Sequence, residues 1–157
     1  MQLRKLGRNQ WLCLAGGAVS VFLWKNRRWF RINDVTSGRT IAYPNLKPRC
    51  YTSPPSDVFA LAEATAREMP RWRVISVDRT GRELQTEAEM AVFRLVDDVT
   101  IRVDWIPESN ESEVVVRSHS RVGRGDLGEN ARRIAAFYHR LDERVAHAAV
   151  KSDENSE

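Results

Sequence analysis

The sequence predicts an α+β domain: a four-stranded antiparallel meander with two helices packed on one face, preceded by a short N-terminal apolar helix. Three observations predict it. Residues 55–69 and 126–148 repeat apolar side chains at helical spacing. Between them, four stretches within residues 72–121 are rich in β-branched residues or alternate apolar with polar. The connections between those stretches are short, which favours neighbouring antiparallel strands.

The first helix is expected over residues 55–69, with Ser53 or Ser56 capping its free amides. Val58, Leu61, Ala62, Thr65 and Met69 share one face, and Glu63, Arg67 and Glu68 take the other. Pro70 ends it, because proline lacks the amide and restricts Met69. A strand follows over residues 72–77, then a turn at Thr80-Gly81. Leu84, Thr86, Ala88 and Met90 alternate with Gln85, Glu87 and Glu89, the pattern of a half-buried antiparallel strand. Val99, Ile101, Val103 and Trp105 alternate in the same way with Thr100, Arg102 and Asp104. Residues 114–121 form the last strand, with Val114, Val116, Ser118 and Ser120 on one side and Val115, Arg117, His119 and Arg121 on the other. Asp126 and Glu129 make a capping box for the second helix. Its apolar stripe runs through Leu127, Ala131, Ile134, Ala135, Tyr138, Leu141, Val145 and Ala148. Residues 55–148 are thus the α+β domain, and residues 149–157 a polar tail.

Ahead of the domain lie a basic N-terminus (1–10), an uncharged apolar run (11–24) and a basic segment with a linker (25–54). As a helix, residues 11–24 span about 21 Å, short of a bilayer core of about 30 Å. Trp11 and Trp24 mark the edges of the run, and basic residues flank both ends, as interface anchors would. The expectation is a short transmembrane or membrane-associated helix, giving a single-pass protein of a bacterial inner membrane. A surface-lying helix, a buried helix of a cytoplasmic protein and a cleaved signal are the alternatives.

Charge is segregated along the chain. Residues 1–46 carry +7, residues 47–150 carry −1 and residues 151–157 carry −2. The domain therefore lacks the positive stripe of a nucleic-acid binder, and nucleic acid is not an expected partner. Cys13 and Cys50 are the only cysteines, which excludes a disulfide-stapled module. His119, His139 and His147 have no metal-ligand spacing with either cysteine, so no metal or cofactor is assigned. There is no phosphate-binding loop, dinucleotide fingerprint or nucleophile elbow.

Two polar features stand out. Asp97-Asp98 sits between two strand-like stretches, and residues 117–128 join the last strand to the second helix. One expectation is structural: Arg117 or Arg121 forks onto Asp97 or Asp98. A second is an anion or lipid head-group site built from Arg121, Arg124, Arg133 and helix amides. A third is a divalent cation held by Asp97, Asp98 and Asp126 in a hydrolase. A triad on the last strand is excluded, because His119 points away from Ser118 and Ser120.

Phe93-Arg-Leu-Val-Asp-Asp98 and Arg117-Ser-His-Ser-Arg-Val-Gly-Arg-Gly-Asp-Leu-Gly-Glu-Asn-Ala-Arg-Arg-Ile134 resemble the segments that mark the family of unknown function numbered 1499. Pro70-Arg-Trp72 and the lead-in Asn33-Asp34-Val35 extend the resemblance over most of residues 33–144. The resemblance implies a polar cluster of Asp97, Asp98, Arg117, Ser118, Ser120, Arg121, Gly123, Asp126, Gly128, Asn130 and Arg133, with Leu127 and Ile134 beside it. It implies no catalytic residue, and it favours an N-terminal membrane segment or export signal. Cys50-Tyr-Thr-Ser-Pro54 departs from the cysteine-proline segment of many members. The expected function is a membrane-tethered, non-enzymatic accessory or binding domain, with a protein or a small anionic ligand as partner. The alternatives are an anion or lipid head-group binder and a metal-dependent hydrolase using the paired aspartates.

Overall fold

Two strands of three residues each open the described part of the chain, and both lie in the segment expected to be linker: β1 (Asp34–Thr36) and β2 (Arg49–Tyr51). The structure, a computed structural model, describes residues 32–90, 94–123 and 125–154. α1 (Pro55–Glu68) follows, then β3 (Trp72–Asp78), β4 (Glu83–Glu89), β5 (Val96–Ile106), β6 (Glu111–Ser120) and α2 (Glu129–Glu154). The sheet order is β1-β6-β5-β4-β3, and β2 also pairs with β6. All pairings are antiparallel.

The four-stranded sheet expected from sequence is therefore corrected to six strands. β3 to β6 form the expected meander. β1 and β2 add to the outer edge of β6, β1 opposite residues 117–119 and β2 opposite residues 112–114. A three-residue strand shows too little alternation to be read from sequence, and its conformation is imposed by the edge it joins. The link between β1 and β2 is shaped by Gly38, whose φ of +72° and close approach to Pro48 exclude a Cβ.

The apolar helix expected over residues 11–24 lies outside the described residues. Among the described residues, no helix is long and apolar enough to cross a membrane. The expectations that depended on it are corrected accordingly: the tether, the membrane as partner and the single-pass location are not carried further.

Period-two alternation decides which sheet face is covered. Leu84, Thr86, Ala88, Val99, Ile101, Val103, Val114 and Val116 are buried on one face. Val58, Ala62 and Ala66 of α1 pack there, with Ile134, Phe137, Tyr138 and Leu141 of α2. Phe137, absent from the expected stripe, is fully buried and stacks on Trp72 with ring centroids 5.7 Å apart. Each large apolar side chain buried this way contributes about 1.5–3 kcal/mol. Gln85, Arg102, Arg117 and their neighbours occupy the opposite face, which no described element covers.

Several local expectations change. No side chain caps α1; its N-cap is Pro54, with Pro55 starting the helix, so the first amides include one that proline does not have. Glu63, expected to face solvent, is buried and holds both Arg67 and Arg79. Leu127 is 42% exposed rather than part of the core. Asp97 and Asp98 lie inside β5, not between strands.

Candidate functional site

Placing Asp97-Asp98 within a strand sends the two carboxylates to opposite faces of the sheet. Asp97 enters the core face and is 1% exposed. Asp98 stands on the open face. A single ion cannot gather both, and among the described residues no group of three His, Cys, Asp or Glu side chains could hold a metal. The hydrolase reading built on paired aspartates is corrected on that geometry.

The core-face half of the motif is a closed hydrogen-bond network. Arg133, 6% exposed, donates through Nη2 to Asp97 Oδ2 at 2.8 Å. Its Nη1 donates to Ser118 Oγ at 2.9 Å and to Asn130 Oδ1 at 2.7 Å. The Ser118 hydroxyl donates to the same Asn130 oxygen at 2.6 Å. Asn130 Nδ2 donates to Ser120 Oγ at 3.0 Å and to the Asn33 carbonyl at 3.1 Å. Asn130 thus uses both amide protons and accepts twice on its oxygen, the full capacity of the group. Every member must be satisfied here, because an unpaired polar group in a dry core costs more than an apolar one.

The loop before α2 supplies the rest. Leu127 and Gly128 both take positive φ, 56° and 79°. This turn folds the chain over the Asp126 carboxylate, which accepts the Gly128 amide at 2.9 Å and the Asn130 amide at 2.7 Å. Asp126 therefore holds the helix start in a tighter geometry than the expected capping box, and Glu129 pairs with Arg132 instead of reaching back. Gly123, with φ of +91°, carries a carbonyl that accepts from Asn33 Nδ2 at 2.8 Å.

These bonds converge on the lead-in strand. The Asn33 carbonyl accepts from the Ser120 amide at 2.7 Å as well as from Asn130. The Ile32 carbonyl accepts from the Asp126 amide at 3.1 Å. The sequence pointed to the lead-in only through Asn33-Asp34-Val35. No spacing rule connects residue 33 with residue 130.

On the open face, Arg117 forks onto Asp34 of β1, not onto Asp97 or Asp98 as expected. That hydrogen bond holds the Asp34 carboxyl below the usual carboxylate range. Arg121 does fork onto Asp98, at 2.6 Å for the shorter contact, and also reaches Glu87 of β4 at 2.7 Å. Glu87 takes a further bond from Arg73 of β3, and the two arginines hold its carboxyl low, Arg73 foremost. Asp34, Arg117, Asp98, Glu87 and Arg73 so follow one another across five strands, and Arg121 bridges the two neighbouring carboxylates, Asp98 and Glu87. Pairs this open to solvent are screened, and each adds little to stability by itself.

The anion-site expectation loses two of its three arginines to carboxylates, Arg121 to Asp98 and Glu87, and Arg133 to Asp97. Arg124 lies outside the described residues. The Asp126 carboxylate occupies the helix amides an anion would need.

Residues 28–141 match the model of the family described as Protein of unknown function (DUF1499). The chain belongs to that family, as the motifs implied. No curated protein and no solved structure matches it.

Proposed function

We propose, with that membership as premise, that the chain is a non-enzymatic positioning domain whose family motif is a clamp. The clamp fixes the lead-in strand to one end of the sheet, and with it the point from which the basic residues before Ile32 depart. One observation carries this reading: the Asn33 carbonyl is gripped at once by the Ser120 amide and by Asn130, the hub of the buried network. The ionisable motif residues are occupied in the same way. Asp97 holds Arg133, Asp98 holds Arg121, Arg117 holds Asp34, and Asp126 holds the helix amides. A nucleophile or general base needs to be within reach of a substrate, and each of these carboxylates is engaged by a guanidinium or a backbone amide of the fold.

Two measurements test the proposal. In hydrogen exchange, Asn130→Ala is expected to release residues 33–36 while β3 and β4 keep their protection. Unchanged protection of residues 33–36 would contradict the clamp. Phosphoester and carboxylester substrates are expected to show no turnover above the solvent rate. Turnover that disappears in Asp98→Asn, an open-face substitution outside the core network, would overturn the non-enzymatic reading.

A further inference from the structure

His119 stands where three strands meet on the open face. Asp34 of β1 lies opposite it on one side and Asp98 of β5 on the other. Arg117 on β6 and Arg121, the first residue past the end of that strand, flank it two residues away in each direction, and Arg121 reaches Asp98 on the same face. Glu87 of β4 joins the group through Arg121, and Arg73 of β3 joins through Glu87. The three carboxylates and three guanidiniums balance, so a proton added to His119 enters a field without net charge.

Each of those six groups has an ion-pair partner of opposite sign. The imidazole differs. Its Nδ1 is shielded from solvent and has no hydrogen-bond partner, yet lies 3.7 Å from Asp34 Oδ2. With the neutral ring's proton on Nε2, Nδ1 is an acceptor, and the group it faces is an acceptor too. A protonated Nδ1 is a donor aimed at a carboxylate.

We propose that His119 is a proton-operated latch on β1: taking up a proton, it closes an Nδ1–H bond to Asp34 and tightens the lead-in strand, and releasing the proton loosens it. The inference rests on the positioning reading above, because β1 is the strand through which the clamp holds the lead-in. Histidine is the side chain that changes charge between about pH 5 and 8. Acidification that charges the imidazole therefore tightens the latch. It fails again in stronger acid, where Asp34 itself takes a proton. His119 also contributes, after Arg117, to holding the Asp34 carboxyl low.

The test is amide exchange of residues 34–36 in the full chain at pH 7.8 and pH 5.5, corrected for intrinsic rates. Protection is expected to rise about fivefold at the lower pH, the yield of a partly exposed ion pair, and to be flat in His119→Gln. A flat wild-type profile, or a rise that persists in His119→Gln, would overturn the latch. Asn130→Ala, measured alongside, separates the two claims: if it leaves residues 33–36 protected, the clamp fails, whereas a flat wild-type profile with an Asn130-dependent β1 removes the latch alone. Should His119→Gln not fold, the imidazole ¹⁵N shifts of the wild-type chain decide. A protonated Nδ1 with slowed proton exchange at pH 5.5 supports the latch, and a rapidly exchanging one refutes it.

Discussion

Arg133→Met removes one side of the buried ion pair and strands the other. Asp97 is 1% exposed, and its Oδ2 receives the Arg133 Nη2 proton at 2.8 Å. Without the guanidinium, the carboxylate stays in a core with no cation beside it, which costs about 3–5 kcal/mol. Asp97→Asn keeps an acceptor oxygen for Nη2 but leaves the buried guanidinium without a counter-charge, so it too should cost about 3–5 kcal/mol. Removing both, as Asp97→Leu with Arg133→Met, strands no charge. The Ser118 hydroxyl still donates to Asn130 Oδ1, and both Asn130 amide protons keep their acceptors. The double variant should therefore be more stable than Arg133→Met alone, with a coupling of about 2 kcal/mol in a double-mutant cycle. Urea unfolding at neutral pH reads these values from the midpoint at constant slope. A domain of ordinary stability, about 5–15 kcal/mol, survives the loss well enough to be measured. A cost below about 1 kcal/mol for Arg133→Met, or simple additivity of the Asp97→Leu and Arg133→Met costs in the double variant, would refute the closed-network argument.

Two further predictions concern titration and the core. Asp34 has a lowered folded-state pKa, so its contribution is fully present above the unfolded value of 3.8 and disappears as pH falls through the folded value. Asp34→Asn should consequently destabilise by no more than about 1 kcal/mol at pH 7 and by progressively less as pH falls below 3.8, as acid and urea titrations of the pair would show. Tyr138 donates to the Val114 carbonyl at 2.8 Å and contacts Ser37 Oγ at 2.8 Å, and burial pushes its phenol up to about 12. Tyr138→Phe should cost about 1–2 kcal/mol, and phenolate absorbance should leave this tyrosine untitrated at pH 10.5. Full titration there would contradict its burial.

The meander and both helices were legible because each has a long repeat: period two through Leu84, Thr86 and Ala88, period near 3.6 through Ile134, Tyr138 and Leu141. β1 and β2 were not, since three residues carry no period and their partner lies some sixty residues or more along the chain. Asp97 and Asp98 illustrate a finer limit. Alternation continued two residues upstream from Val99 sets them on opposite faces, which by itself excludes a paired-carboxylate site. The start of β5 at Val96 decided the matter, and strand boundaries are where sequence patterns are weakest. Arg121 found its expected partner Asp98, whereas Arg117 found Asp34, because β1 docks beside it at an edge the sequence left open. The hub role of Asn130 had no local signature. It follows from the fold bringing the first turn of α2 against Ser118, Ser120 and the lead-in.

The most direct measurement is the ¹H–¹⁵N spectrum of the arginine side chains at neutral pH. With Arg133 closed against Asp97, Ser118 and Asn130, its Nη protons should appear as separate, slowly exchanging signals, distinct from those of exposed arginines such as Arg102. A single averaged Arg133 signal exchanging at the solvent rate would mean that the cluster is open, and the clamp would have no lock.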